Sequence, residues 1–283
     1  MYLNDYKIEG TINRDQNPCF TKVETYPFFQ EELEAFKTHL ISLVKNTKSA
    51  TFYKFGDGDY RFLTRDGVGS AAPGRRALSK SYDQINHESF LEGAKNCDYY
   101  TCEIYPENRE MFYKVIDRKI DYPAEYGYGL VGNKWFFNTF KGKIGLIGAD
   151  KKIELAETLM GYPQYQQYLG LTHFNDYIKI PQKFACDNLE ETERMIGEQL
   201  KNSTSDIFLL GIGHVKSGLL HTLKKYKKAV YLDVGSGIDA IAGIVEIGRP
   251  YFGDWTNFQT RKYNYNVLDF LNYQGHGKHV ILD

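Results

Sequence analysis

The chain has 283 residues, enough for one large domain or two small ones, with Lys+Arg 35 against Asp+Glu 36. That balance excludes a sequence-wide electrostatic case for nucleic acid and leaves room only for a local basic pocket. No run of about 18 apolar residues occurs, so no membrane span is expected; Met1-Tyr2-Leu3-Asn4-Asp5 lacks the basic-then-apolar order of a secretory signal, so a cytoplasmic protein is expected.

Residues 1–27 are polar, contain Pro18 and Pro27, and read as an irregular surface arm on a single domain spanning 1–283. From Phe28 to Val44 the residues Leu33, Phe36, Leu40 and Val44 are spaced as one apolar helix face. Thr51 to Phe55 has the aromatic and β-branched content of a strand. It runs into Phe55-Gly56-Asp57-Gly58-Asp59-Tyr60. Glycine after a strand permits a sharp turn and the close approach of another group. In such a turn Asp57 and Asp59 can point to one side and share a hard cation, because Mg2+ and Mn2+ prefer oxygen ligands and also bind substrate phosphates. Gly and Asp are equally the commonest residues of an ordinary turn. A helix is expected from about Tyr60. The glycine-rich loop Arg65 to Arg76 comes next, where Arg75 and Arg76 can clamp phosphate or simply face solvent. A helix over Asp83 to Ala94 and a strand over Tyr99 to Ile104 complete the first half.

The second half alternates more regularly. Lys143 to Gly148 reads as a buried strand, Lys151 to Met160 as a helix, and Tyr177 to Ile180 as a short strand closed by Pro181. Leu189 to Leu200 is an amphipathic helix and Asp206 to Gly211 a buried strand. A glycine turn, a helix over Ser217 to Tyr226 and a strand over Ala229 to Val234 follow. Strands alternating with helices imply an open, mostly parallel α/β sheet with helices on both faces. Ligands of such sheets bind beyond the carboxyl ends of the strands. Four turns lie at that edge: Gly56 to Asp59, Gly148 to Asp150, Gly211 to His214 and Gly235 to Asp239.

In the turn after Leu210, Gly211 and Gly213 would let a phosphate approach a helix start, with Lys216 or Ser217 in contact. The alternative is close helix–sheet packing without a ligand; the Walker A spacing fails. Tyr231-Leu232-Asp233-Val234-Gly235-Ser236-Gly237 looks like the first motif of S-adenosylmethionine-dependent methyltransferases, but its third glycine is missing. Only about 50 residues follow Gly235, too few for the remaining βα units of about 30 residues each. Arg249-Pro250 and Asp254-Trp255 can line an acceptor groove or merely pack. His39, His87, His173 and His221 have no metal spacing and read as structural, while His276 and His279 sit in a glycine-rich tail. Cys19, Cys97, Cys102 and Cys186 fit neither a disulfide framework nor a zinc site, so reduced and mostly buried thiols are expected. The many Tyr and Phe residues carry no weight alone, since composition explains them as well as stacking on sugars or bases does.

Taken together, Lys54-Phe55-Gly56-Asp57-Gly58-Asp59 is similar to the RFGDGE signature of the GT-D glycosyltransferases, whose metal motif is Asp-x-Glu. The late strand–turn–helix of that family matches Leu210 to Leu220 here, and its next strand matches Tyr231 to Ser236. Order and spacing agree over about residues 50–245. The resemblance implies a Rossmann-like sheet that transfers a sugar from a nucleoside diphosphate donor, a UDP-sugar first among them, to a glycan, glycoprotein or glycolipid acceptor. It implies a divalent metal, Mn2+ or Mg2+, on Asp57 and Asp59. Lys54, Phe55, Gly56, Gly58, Arg75, Arg76, Gly211, Gly213, Lys216, Ser217, Gly235 and Ser236 would hold the donor. Asp59 replaces the family Glu and Lys54 the family Arg. A metal ion would neutralise the leaving diphosphate, and an acceptor hydroxyl calls for a general base. Asp150, His214, Asp233 and Asp239 are the candidates, with His214 and Asp233 foremost alongside Asp57 and Asp59. A metal-dependent phosphohydrolase or nucleotidyltransferase, a non-catalytic nucleotide-sugar-binding module and, least favoured, a methyltransferase are the alternatives. A homo-oligomer is compatible with all of them.

Overall fold

The computed structural model describes residues 29–65, 79–80, 82–103, 106–124, 126–127, 134–181 and 183–243. In chain order the elements are α1 (Phe29–Lys45), β1 (Ala50–Phe55), α2 (Asp57–Thr64), α3 (His87–Lys95), β2 (Tyr99–Cys102), α4 (Pro106–Val115), β3 (Tyr122–Pro123) and α5 (Lys134–Thr139). There follow β4 (Ile144–Ala149), α6 (Asp150–Leu159), α7 (Pro163–Leu169), β5 (Asp176–Ile180), α8 (Leu189–Lys201) and β6 (Ile207–Gly211). Helix α9 (Val215–Leu219), which tightens into the 3₁₀ stretch Leu220–Lys225, then leads to β7 (Val230–Asp233) and α10 (Gly237–Ile241).

The strands form one sheet in the order β3-β2-β1-β7-β6-β4-β5, and every neighbouring pair is parallel. The expected open α/β architecture, Rossmann-like with helices on both faces, is therefore the fold. Strand β4 is buried at every position, as a strand covered on two sides must be. Side chains alternate between two cores. Phe52, Leu146, Leu209 and Leu232 join α1, α6 and α10 on the first face. Tyr53, Ile147, Leu210 and Tyr231 join α2, α3, α4, α8 and α9 on the second.

This two-sidedness places a crevice. After β1 and after β6 the chain leaves toward the second face, into α2 and α9. After β7, which lies between them, it leaves toward the first face, into α10. Outgoing connections that part to opposite faces open a gap beyond the strand ends, where ligands of such sheets sit.

Several boundaries differ from the sequence reading. Helix α2 begins at Asp57, three residues earlier than expected, because Gly56 serves as its N-cap and Asp59 reaches back to the Gly56 amide at 2.9 Å. The helix after β6 is α-helical only to Leu219. Helices α4, α5, α7 and α10 and the edge strand β3 were not anticipated. Pro106 and Pro163 open α4 and α7, as proline does where an amide would go unpaired anyway. Among the described residues no helix is long and apolar enough to cross a membrane. The arm 1–27, Arg75 and Arg76, Arg249 to Trp255 and the tail histidines lie outside the described residues.

Candidate active site

At the floor of the crevice lies the Lys216 ammonium. Its Nζ stands 2.6 Å from Asp233 Oδ2 and 3.2 Å from Asp59 Oδ1, donates to the Lys54 carbonyl, and lies 4.7 Å from the centre of the Tyr53 ring. Each carboxylate is also held by the chain around it. Asp59 Oδ2 accepts from the Gly56 amide and Oδ1 from the Tyr53 hydroxyl at 3.1 Å. Asp233 Oδ2 accepts from the Lys54 amide at 3.1 Å and Oδ1 from the Gly235 amide at 2.9 Å. The β1–β7 ladder pairs residues only as far as Phe52 and Leu232, so the Asp233 side chain continues the strand-to-strand bonding one step beyond it. Tyr53 and Ser217 share a hydrogen bond at 2.8 Å and are fully buried.

Burial opposes charge on Asp59, but the nearby Lys216 ammonium, aided by His214 and Lys54, overrides it and holds the carboxyl well below the usual carboxylate range. Burial likewise opposes charge on Lys216, and Asp233 and Asp59 override it, so its ammonium is held above its ordinary value. Burial, followed by the Asp59 charge, pushes the Tyr53 phenol well above its ordinary value. Three residues, Asp59, Lys216 and Asp233, thus form a closed ionic floor drawn from α2, α9 and β7.

Above the floor the rim is open. Gly58 and Gly213 are exposed, and Gly235 and Ser236 partly so. Gly213 has φ of +57° and a β-carbon there would meet nothing within 4 Å, so this turn both needs glycine and faces free space. Gly211 differs: a β-carbon would lie 2.6 Å from Ile238 Cβ and 2.8 Å from the Gly235 carbonyl, so its role is close packing of β6 on α10. The His214 imidazole lies flat on Phe62, ring centres 4.4 Å apart and planes 6° apart. Its Nδ1 is 3.8 Å from Asp59 Oδ1, beyond hydrogen-bond length, and has no hydrogen-bond partner among the described residues. Phe62 is itself held by the His87 Nδ1 contact to its carbonyl at 3.0 Å and by Phe90.

The structure brings together Lys54, Gly56, Asp59, Gly213, His214, Lys216, Ser217 and Asp233. It does not bring Asp57 and Asp59 to one side. Asp57 is 62% exposed beside Arg61, while Asp59 is 7% exposed and faces Lys216. Because α2 starts at Asp57 the two are i and i+2 on a helix, and such residues do not face each other. As placed they do not fit a shared divalent cation: Asp59 already has donors on both oxygens and an ammonium against it. Among the described residues no three His, Cys, Asp or Glu side chains gather as a metal site. Lys54 Nζ turns away to Glu103 at 3.3 Å, and Glu103 is braced by Asn108. Helix α9 spans five residues, too short to build the dipole expected of a phosphate-binding helix start.

The remaining base candidates are engaged. Asp239 pairs with Lys152 at 2.6 Å, both nearly buried, and Asp150 bonds the amide of Lys151 at the start of its own helix. Tyr53, Phe62 and Glu103 belong to the site but had not been singled out. Tyr53 had a signal, since it alternates with Lys54 on the strand feeding the motif; Phe62 and Glu103 had none. Cys97, Cys102 and Cys186 are buried thiols outside any disulfide, as expected, with burial pushing the Cys97 and Cys186 thiols up to about 12. His39 bonds Tyr122 and His87 bonds Phe62, in keeping with the structural roles expected of them.

No protein-family model matches the chain, and neither a curated protein nor a solved structure matches it.

Proposed function

We propose that this chain is a glycosyltransferase that binds a nucleoside diphosphate sugar in the crevice above β7 and passes the sugar to a glycan, glycoprotein or glycolipid hydroxyl. One observation carries the reading. The three segments similar to the GT-D glycosyltransferases, Lys54 to Asp59, Leu210 to Leu220 and Tyr231 to Ser236, are far apart in sequence and meet around Lys216. A fold needs some contact between strand ends, but it does not need a buried ammonium locked between two aspartates from two of those segments.

In this reading His214 is the general base. It is the candidate at the rim whose imidazole is partly exposed, held face-on by Phe62 with a carboxylate behind it. The acceptor oxygen attacks the anomeric carbon while the bond from that carbon to the diphosphate oxygen breaks. The bonding pair leaves with the diphosphate, and the acceptor proton passes to the imidazole. Asp59 orients and supports the imidazolium so formed through its charge, and the Lys216 ammonium below keeps Asp59 ionised.

Calorimetric titration with UDP-, GDP-, CDP- and dTDP-sugars tests the reading. Binding of one donor, with hydrolysis or transfer reduced at least ~10²-fold by His214→Ala, is the expected result. Release of phosphate or pyrophosphate in place of a nucleoside diphosphate would favour a phosphohydrolase or nucleotidyltransferase instead. A donor that binds but is never turned over would favour a binding module. No binding across the panel by the folded protein would end the proposal.

A further inference from the structure

The sequence motif calls for a divalent cation between Asp57 and Asp59, and the structure puts a different cation against one of them. We propose that the Lys216 ammonium is the resident cation of this site, so that the buried Asp59–Asp233 pair takes up no divalent metal and the crevice receives its ligand without one.

Saturation of the carboxylates is the first support. All four oxygens of Asp59 and Asp233 accept a hydrogen bond from the backbone or from Tyr53, or face Nζ directly. A divalent ion here would have to displace the ammonium and two or more of these donors, and among the described residues no three His, Cys, Asp or Glu side chains gather to hold it. Placement is the second. Lys216 is 6% exposed, and its Nζ is fixed from three elements: the Lys54 carbonyl of β1, Asp59 of α2 and Asp233 of β7. A lysine held on that many partners is built in, as a structural ion would be. The third is the divergence of the two aspartates of the motif, which leaves Asp57 in solvent beside Arg61.

Manganese alone is the probe. Titration by calorimetry and by electron paramagnetic resonance should find wild type and Asp59→Asn indistinguishable. Lys216→Met, which is unbranched and one atom shorter and removes the charge, should bind Mn2+ at least ~10-fold more tightly than wild type, because two close carboxylates are then left without a counter-charge. Adding Asp233→Asn should abolish that gain. Stoichiometric Mn2+ uptake by wild type that Asp59→Asn removes overturns the proposal, as does a folded Lys216→Met protein that gains no affinity. Should Lys216→Met fail to fold, the comparison of wild type with Asp59→Asn decides by itself. The consequence for the donor rests on the glycosyltransferase reading: any nucleotide sugar that binds should do so within about twofold in EDTA and in Mn2+. Failure of every donor to bind would remove that reading and leave the manganese result standing.

Discussion

Asp59 has two structural tasks that a shorter or neutral side chain cannot combine. It returns to the Gly56 amide to cap α2, and it presents a negative charge to Lys216. Its folded value lies below the ordinary carboxylate value, which fixes the sign of its pH dependence. The stability it contributes is fully present above the unfolded value near 3.9 and is lost as pH falls toward the folded value. Asp59→Asn should therefore cost about 3 kcal/mol at pH 7, the scale of breaking a buried ion pair from one side. The gap from wild type should narrow on acidification below about pH 4. Urea unfolding of both proteins at pH 7 and pH 3 measures it; a gap that does not change with pH would show that Asp59 is not held charged by Lys216.

At the scale of elements, the position of Lys216 depends on a glycine in another helix. A β-carbon on Gly93, in the last turn of α3, would lie 2.3 Å from the Ser217 carbonyl and 2.7 Å from that of Gly218. Backbone cannot swing aside as a side-chain tip can, so α9 can pass this close to α3 only because residue 93 has no side chain. Gly93→Ala should destabilise the protein by roughly 2 kcal/mol through overpacking and shift α9, whereas Gly58→Ala should stay within about 0.5 kcal/mol, as exposed substitutions usually do. A β-carbon at Gly58 meets only the edge of His214, at 3.7 Å. Denaturant melts of the two variants decide this, and equal costs would mean that the helix contact is not tight. The same contrast marks what could be read in advance. Strand content and glycine turns placed β1, β2, β4, β5, β6 and β7, and with them the edge where the site lies, because buried parallel strands carry their signature locally. The direction of the Asp57 carboxylate depended on where α2 begins. A capping side chain moved that start by three residues, and boundaries of this kind rest on single hydrogen bonds. Short α5 and α10 are held by tertiary packing instead of by periodicity, so no window of sequence announces them.

At the scale of the molecule, β7 joins two halves. Strands β1 to β3 lie on one side of it and β4 to β6 on the other. Without β7 both β1 and β6 become edges with unpaired backbone in the middle of the molecule, and neither two-faced core remains closed. A chain ending at residue 226 should show no cooperative urea transition by circular dichroism, and a sharp transition in that fragment would mean that one half folds alone. Lys216 would also lose its closest carboxylate, so the loss of the sheet and of the site should coincide.

That coincidence has a meaning in time. Ser49 and Ala229, which meet where β1 adjoins β7, are 180 residues apart in the chain. At about 5–20 residues per second, β1 leaves the ribosome roughly 10 to 35 s before its neighbour exists. During that interval the nascent chain holds Asp59 and later Lys216, but not the aspartate that completes their charge cluster. An unfinished polypeptide therefore has no working crevice to offer a ligand, and the crevice is complete only once the centre of the sheet has been synthesised.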